Sequence, residues 1–319
     1  MPTDSADSSS RAAAGVAADA AADAAAAQVA APAGGAVATS AARTEEPAAS
    51  GASPFRSDLF APTAKAARHV AIVTGGGTGI GRAIARSLGA CGARLAICGR
   101  RREPLEQTAA ELQASGAECL ALTCDIREPA QIAEFVAAVL ARYGRIDSLI
   151  NNAGGQRPYP ASYMPLEHFD KVIRNNLIGT FAMTQAVARA AMIPQRGGNV
   201  VNIIAQIYRG FPGMAHTGAA RAGVDNLTKS LAVEWSPSRI RVNAVAPGII
   251  RSSGTDRYPE SLVAAAQKAI PWKRLGTPEE VAHLVTFLCA PAADYITGAT
   301  YYIDGGQALW GDIFPLPDE

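Results

Sequence analysis

The 319-residue chain has little of several things that would mark other kinds of protein. Aromatic residues make up only 6% of it, and Lys plus Arg exceed Asp plus Glu by a single charge. Without a basic excess, no nucleic-acid or membrane-surface partner is expected. The five cysteines, Cys91, Cys98, Cys119, Cys124 and Cys289, include no CxxC pair and are odd in number. Neither a disulfide framework nor a zinc site is suggested, and a reducing, cytoplasmic setting is expected. The four histidines are scattered, so no metal site is anticipated. No apolar run approaches the roughly 20 residues that a membrane span needs.

Large apolar side chains are also scarce up to about Pro54, where Ala, Gly, Ser and Pro dominate. Such a stretch cannot bury enough surface to fold, so residues 1–54 are expected to form a disordered Ala-rich tail. It lacks the basic start and apolar core of a secretory signal. Asp4, Asp7, Asp19, Asp23, Glu45 and Glu46 against Arg11 and Arg43 also argue against a transit peptide. Residues 55–319 are expected to fold as one domain.

What is present there is an alternation of short apolar runs and longer helical patterns. Strands are expected at Val70–Thr74, Arg94–Cys98, Glu118–Thr123, Ser148–Ile150, Val200–Ile204, Arg241–Val245 and Thr300–Ile303. Helices are expected between them, among them a long one over Leu166–Met192 with Gly179 inside it. Another opens near Thr217, for which Thr217 would be a suitable N-cap, and a third spans Pro278–Leu288 behind Thr277. The segment Ile249–Ile270 is expected to form a substrate loop and short helix. Strand and helix in alternation describe an α/β, Rossmann-type doubly wound parallel sheet with helices on both faces. Such sheets bind ligands beyond the carboxyl ends of their strands.

Three stretches at those ends carry chemistry. Gly75-Gly76-Gly77-Thr78-Gly79-Ile80-Gly81 lies between a strand and a helix, where backbone N–H groups can hold a pyrophosphate. Gly99-Arg100-Arg101-Arg102 ends the second strand with arginines instead of an acid, which favours a 2′-phosphate and hence NADP(H). His216 to Gly223 places Thr217 and Arg221 one helical turn apart on one face.

Together with Asn151–Gly154, Asn176, Pro247-Gly248 and Asp304-Gly305-Gly306, these motifs make the chain resemble the short-chain dehydrogenase/reductase family from Arg68 to Gln307. The resemblance implies a seven-stranded sheet, a nicotinamide cofactor, and a homodimer or homotetramer built on the two long helices. It assigns Thr74, Gly75, Gly77, Thr78, Gly79 and Ile80 to the pyrophosphate end, Arg100 to the 2′-phosphate, and Asp125 and Ile126 to the adenine. Asn152, Ala153, Gly154 and Arg221 fall on the ribose side, and Pro247, Gly248, Ile249 and Ser252 beside the nicotinamide.

The chain departs from the family at its catalytic positions. Most members carry Tyr-x-x-x-Lys where Thr217 and Arg221 stand, and a Ser where Ile204 stands; only Asn176 persists. A tyrosine titrating near ~10 can be tuned to exchange a proton with an alcohol, whereas an aliphatic hydroxyl is far too weak an acid. Residues 202–204, 210–212, 216, 218–224 and 226–232 resemble the trans-2-enoyl-CoA reductase branch, whose 2,4-dienoyl-CoA relatives also lack the pair. That branch reduces a conjugated C=C, a reaction that chiefly needs donors aimed at an enolate oxygen. An NADPH-dependent reductase of enoyl thioesters is therefore the first expectation, with Thr217, Arg221 and Asn176 catalytic and Tyr208 as candidate acid, since Asp225 replaces the branch's tyrosine. A dehydrogenase of branched or citronellol-like alcohols and a non-catalytic NADP(H)-binding protein are the alternatives.

Overall fold

The computed structural model describes residues 69–155, 158–251 and 260–309. The expected tail 1–54 and Ser252 lie outside them.

Seven strands form one sheet: β1 Val70–Thr74, β2 Arg94–Gly99, β3 Cys119–Thr123, β4 Ser148–Asn151, β5 Gly198–Ile203, β6 Ile240–Pro247 and β7 Thr300–Ile303. Their order is β3-β2-β1-β4-β5-β6-β7. Every neighbouring pair is parallel. All five residues of β1 are buried, as a central strand covered on both faces requires. Its side chains alternate between two cores. Val70 and Ile72 face α3 (Pro129–Tyr143) and α5 (Gly179–Val187), represented by Phe135, Val139, Met183 and Val187. Ala71 and Val73 face α1 (Gly79–Ala90), α2 (Arg102–Ala114) and α9 (Pro278–Cys289), represented by Ile84, Leu88, Leu112 and Val285. The chain order reverses between β1 and β4, so the crevice of the sheet opens there.

Two helices differ from expectation. The pattern over Leu166–Met192 is not one regular helix. It begins as α4, Leu166–Ile173, passes through a π-helical turn at Arg174–Ile178 into α5, and meets a second π-helical turn at Ala188–Met192 before the short α6, Ile193–Gln195. Gly179 has a packing reason: a Cβ there would lie 2.9 Å from both the carbonyl oxygen and Cγ1 of Ile126. The helix α7, Ala215–Glu234, starts before Thr217, with Met214 as N-cap. Thr217 is thus inside the first turn and is not the cap; the Met214 carbonyl accepts its N–H at 2.9 Å. The helix α8, Glu260–Ala269, falls in the expected substrate segment. Among the described residues no helix is long and apolar enough to cross a membrane.

Thr277 caps α9 as its sequence suggests. Glu280 N–H donates to Thr277 Oγ1 at 3.2 Å and Thr277 N–H donates to Glu280 Oε2 at 2.8 Å, a complete capping box. Thr277→Ala is expected to cost about 1 kcal/mol in a denaturant titration. Hydrogen bonds from Arg274 and then Thr277 hold the Glu280 carboxyl at about 2, below its ordinary 4.5. A carboxyl depressed in the folded state stabilises the fold fully above pH 4.5 and loses that contribution as pH falls through about 2. The stability difference between the parent chain and Glu280→Gln should therefore be constant above pH 4.5 and shrink below it.

Candidate active site

The turn after β1 is built to bring backbone close to a ligand. Gly75 has φ +66°, in the left-handed region that suits glycine, and its N–H donates to the Cys98 carbonyl at 2.7 Å. The buried Thr74 hydroxyl donates to Ile150 O at 3.3 Å and accepts the N–H groups of Asn152 and Ala153 at 3.0 and 2.9 Å. Asn152 Nδ2 donates to Thr74 O at 2.9 Å and to Gly75 O at 3.3 Å. Thr74 and Asn152 thereby staple the ends of β1 and β4 together, holding the crevice open at its floor.

A cavity of about 680 Å³ lies above this floor. It brings together Gly75, Gly77, Thr78, Gly79, Ile80, Arg100, Asp125, Ile126, Asn152, Ala153 and Gly154, eleven residues assigned to a cofactor from sequence. Its lining does not include Thr74, Arg221, Pro247, Gly248 or Ile249. It adds Cys98, Gly99, Arg101, Pro104, Leu105, Cys124 and Asn175, most of which adjoin a strand end and could have been inferred from that position. The Asp125 carboxyl is held below its usual range, first by hydrogen bonds from Arg127 and also by the nearby charge of Arg100. Pro247 ends β6, and the Gly248 N–H donates to Ile303 O at 3.0 Å, while Gly276 N–H donates to Ile249 O at 3.0 Å. The expected nicotinamide-side loop is thus fixed to β7 and to the segment after α8.

Arg221 and Asn176 converge on Gly154. A Cβ on Gly154 would collide with Arg221 Nη2 and lie 2.7 Å from Asn176 Oδ1. Arg221 is 9% exposed, donates from Nη1 to Ile203 O at 2.8 Å, and has a buried Nε with no partner. Burial brings its guanidinium down to about 10, so it stays cationic at neutral pH. Asn176 is fully buried, and its amide is committed: Nδ2 donates to Gly155 O at 2.8 Å and Val172 O at 2.9 Å, and Oδ1 accepts from Gly155 N–H at 3.2 Å. Both amide hydrogens are spent, one on α4 and one on the loop after β4, so Asn176 has none left for a substrate.

Thr217 is fully buried beside His216. His216 Nδ1 accepts the Thr217 N–H at 2.8 Å, so that nitrogen carries no hydrogen and also takes the Thr217 hydroxyl at 3.3 Å. The latter bond is long, and the hydroxyl can turn to another acceptor. His216, whose ring stacks on His168 with centroids 5.2 Å apart, was missed as a site residue; its place next to Thr217 was the available signal. Tyr208, offered as an acid, is 70% exposed on the loop after β5. That exposure leaves its phenol in solvent, whereas Thr217 is fully buried. Asp225 accepts from Lys229 Nζ at 2.6 Å and from Thr300 Oγ1 at 2.5 Å. Burial opposes its ionisation, but these two bonds outweigh burial and keep its carboxyl below the usual range. Among the described residues no group of His, Cys, Asp and Glu side chains could hold a metal ion.

The residues fit a dinucleotide: a glycine turn leading into the N-terminus of α1, a cavity at the switch point, and a buried Arg221 Nε without a partner, on a guanidinium packed against the cavity-lining Gly154. Comparison with known proteins agrees with that fit. The family described as enoyl-(acyl carrier protein) reductase matches residues 75–308. A peroxisomal 2,4-dienoyl-CoA reductase of Danio rerio is 41% identical over 248 residues, covering 76% of this chain and 82% of the relative. Among solved structures, the citronellol catabolism dehydrogenase of Pseudomonas aeruginosa is 41% identical with a TM-score of 0.70, covering 80% of this chain and 99% of that one. A variant actinorhodin polyketide ketoreductase with NADPH is 34% identical with a TM-score of 0.73, covering 76% and 98%.

Proposed function

The chain belongs to the short-chain dehydrogenase/reductase family and is an oxidoreductase of that family, and from that premise we propose that it is an NADPH-dependent reductase of the conjugated double bond of 2-enoyl thioesters. The observation that carries this reading is the enclosed pair Thr217 and Arg221, a hydroxyl and a cation at the positions where most of the family carries a tyrosine and a lysine. Ile204, also buried, adds no polar group. Such a site stabilises negative charge but lacks the tyrosine through which most of the family exchanges a proton.

Bound in the cavity, NADPH would supply a hydride to the β-carbon of the substrate. As charge develops on the thioester oxygen, the Thr217 hydroxyl turns from His216 to donate to it. The Arg221 cation, held by Ile203 O, adds a fixed positive field in a site screened little by water. Asn176 keeps the π-helical turn against Gly155 and so fixes the wall that Arg221 packs on. The α-carbon takes its proton from water, since neither the exposed Tyr208 nor the ionised Asp225 is suited to give one. Gly75, Gly77, Thr78, Gly79 and Ile80 would hold the pyrophosphate.

The preference for NADPH rests on Arg100, exposed at the cavity rim and charged. Arg100→Ala is expected to weaken NADPH binding by about 10- to 100-fold, the worth of a charge-assisted bond to phosphate, and to leave NADH binding unchanged. Isothermal calorimetry with both nucleotides checks this. The reading as a whole is tested by assaying crotonyl-CoA and longer enoyl- and dienoyl-CoA esters with NADPH beside citronellol with NADP⁺. Oxidation of NADPH by the thioesters supports it, and turnover of citronellol alone sinks it.

A further inference from the structure

The cavity contains two groups that double-bond reduction does not use. Cys98 is the fifth residue of β2 and Cys124 immediately follows β3, and both line the cavity. Cys98 pairs with Leu122 across the β2–β3 ladder, so Cys124, two positions on, presents its side chain to the same face of the sheet. The Cys124 N–H donates to Gly99 O at 2.9 Å and draws the end of β3 against β2. The two side chains lie diagonally across the β2–β3 ladder within one core cluster. They are 0% and 1% exposed, so only a small molecule inside the cavity can meet them.

We propose that Cys98 and Cys124 form a dithiol modification site for small hydroperoxides, and that its oxidation to a disulfide ends nucleotide binding in the cavity. The Cys124 thiolate attacks one oxygen of the hydroperoxide. The O–O bond breaks, the departing oxyanion takes a proton to leave as alcohol or water, and Cys124 becomes a sulfenic acid. The Cys98 sulfur then attacks the sulfenic sulfur; an S–S bond forms, the S–O bond breaks, and water leaves with the Cys98 proton. Two thiols and one hydroperoxide thus give one disulfide, one alcohol or water, and one water.

The order of the steps follows from how the two thiols act on each other. Cys98 lowers the Cys124 thiol, whereas Cys124 and burial raise Cys98 well above the ordinary range. Cys124 is therefore the attacking sulfur and Cys98 the resolving one. The consequence for binding is built into the backbone. The Cys98 carbonyl accepts the N–H groups of both Gly75 and Gly76, at 2.7 and 3.3 Å, and Cys124 precedes Asp125 and Ile126 in the cavity wall. A disulfide has strict geometry and draws the two strand ends together, which pulls on the glycine turn. A nucleotide already in the cavity covers the thiols.

This proposal rests on the cavity holding the nicotinamide cofactor. The full-length reduced chain is treated with hydrogen peroxide, with or without NADP⁺, the reagents are removed, and NADPH affinity and the thiol state are measured. Expected are linked peptides carrying Cys98 and Cys124, a loss of NADPH affinity of about tenfold or more, recovery with dithiothreitol, and protection by NADP⁺. Cys98→Ser and Cys124→Ser, each compared with its own untreated form, should lose less than about twofold. Peptide mapping and dithiothreitol recovery on the parent chain decide the matter if a variant fails to fold. Binding that falls while both thiols remain reduced overturns the proposal, as does a bridged pair with unchanged binding. A reduced chain that binds no NADPH contradicts the cofactor assignment as well, whereas binding insensitive to peroxide contradicts this proposal alone.

Discussion

Replacing Arg221 with Met is expected to lower kcat/KM for an enoyl-CoA by about 10²- to 10³-fold, the usual cost of removing a donor preorganised for developing charge. Met keeps the length and apolar bulk of the side chain but removes its charge and all of its donors. Two opposing effects act on stability. The Ile203 carbonyl loses its 2.8 Å donor, which costs about 1–3 kcal/mol, while the chain no longer buries a cation, which returns a comparable amount. Stability should therefore change little and activity greatly. Steady-state kinetics beside a denaturant titration separate the two. Arg221→Lys should retain part of the activity, because the charge persists without the fork that reaches Ile203 O and the wall at Gly154 together. An Arg221→Met enzyme within a few-fold of the parent would show that the guanidinium does not act on the reaction.

Gly154→Ala should cost about 10²-fold in kcat/KM, since displacements near 1 Å in a catalytic constellation have effects of that size. The added methyl would meet Arg221 Nη2 and Asn176 Oδ1. Asn176 cannot yield, being bonded to Gly155 and Val172 on both sides of its amide. The guanidinium must move instead, away from the space that substrate and cofactor share. Overpacking of this kind also costs about 1–3 kcal/mol of stability. Kinetics at a temperature well below the midpoint of unfolding isolate the catalytic loss; a Gly154→Ala enzyme of unchanged kcat/KM would mean that Arg221 has room to spare.

Much of this architecture was legible in the sequence because its signals are local. The run Val70–Thr74 reads as a buried strand because parallel strands are covered on both faces, and the glycines after it read as a turn. Strand ends then pointed to the cavity, and eleven residues assigned there do line it. The misses have the opposite character. A π-helical turn shifts the apolar register by only one residue within an otherwise helical run, so Arg174–Ile178 was hidden inside a helical pattern. The N-cap of α7 is Met214, whose side chain cannot cap, whereas Thr217 inside the first turn does look like a cap. The role of Asn176 depends on Gly155, 21 residues away, and that of Arg221 on Ile203, 18 residues away. The exposure of Tyr208 is equally invisible to spacing.

The central claim is hydride addition to a conjugated double bond in a site that has no proton-shuttling tyrosine. It is tested most directly by reducing crotonyl-CoA with NADPH deuterated at nicotinamide C4, with the label tried on each face in turn, and locating the label in the product by NMR. The account predicts deuterium at the β-carbon from one of the two labelled faces, with the α-hydrogen drawn from solvent. An unlabelled acyl chain from both, together with label appearing at the carbinol carbon of a reduced ketone or aldehyde, would contradict it.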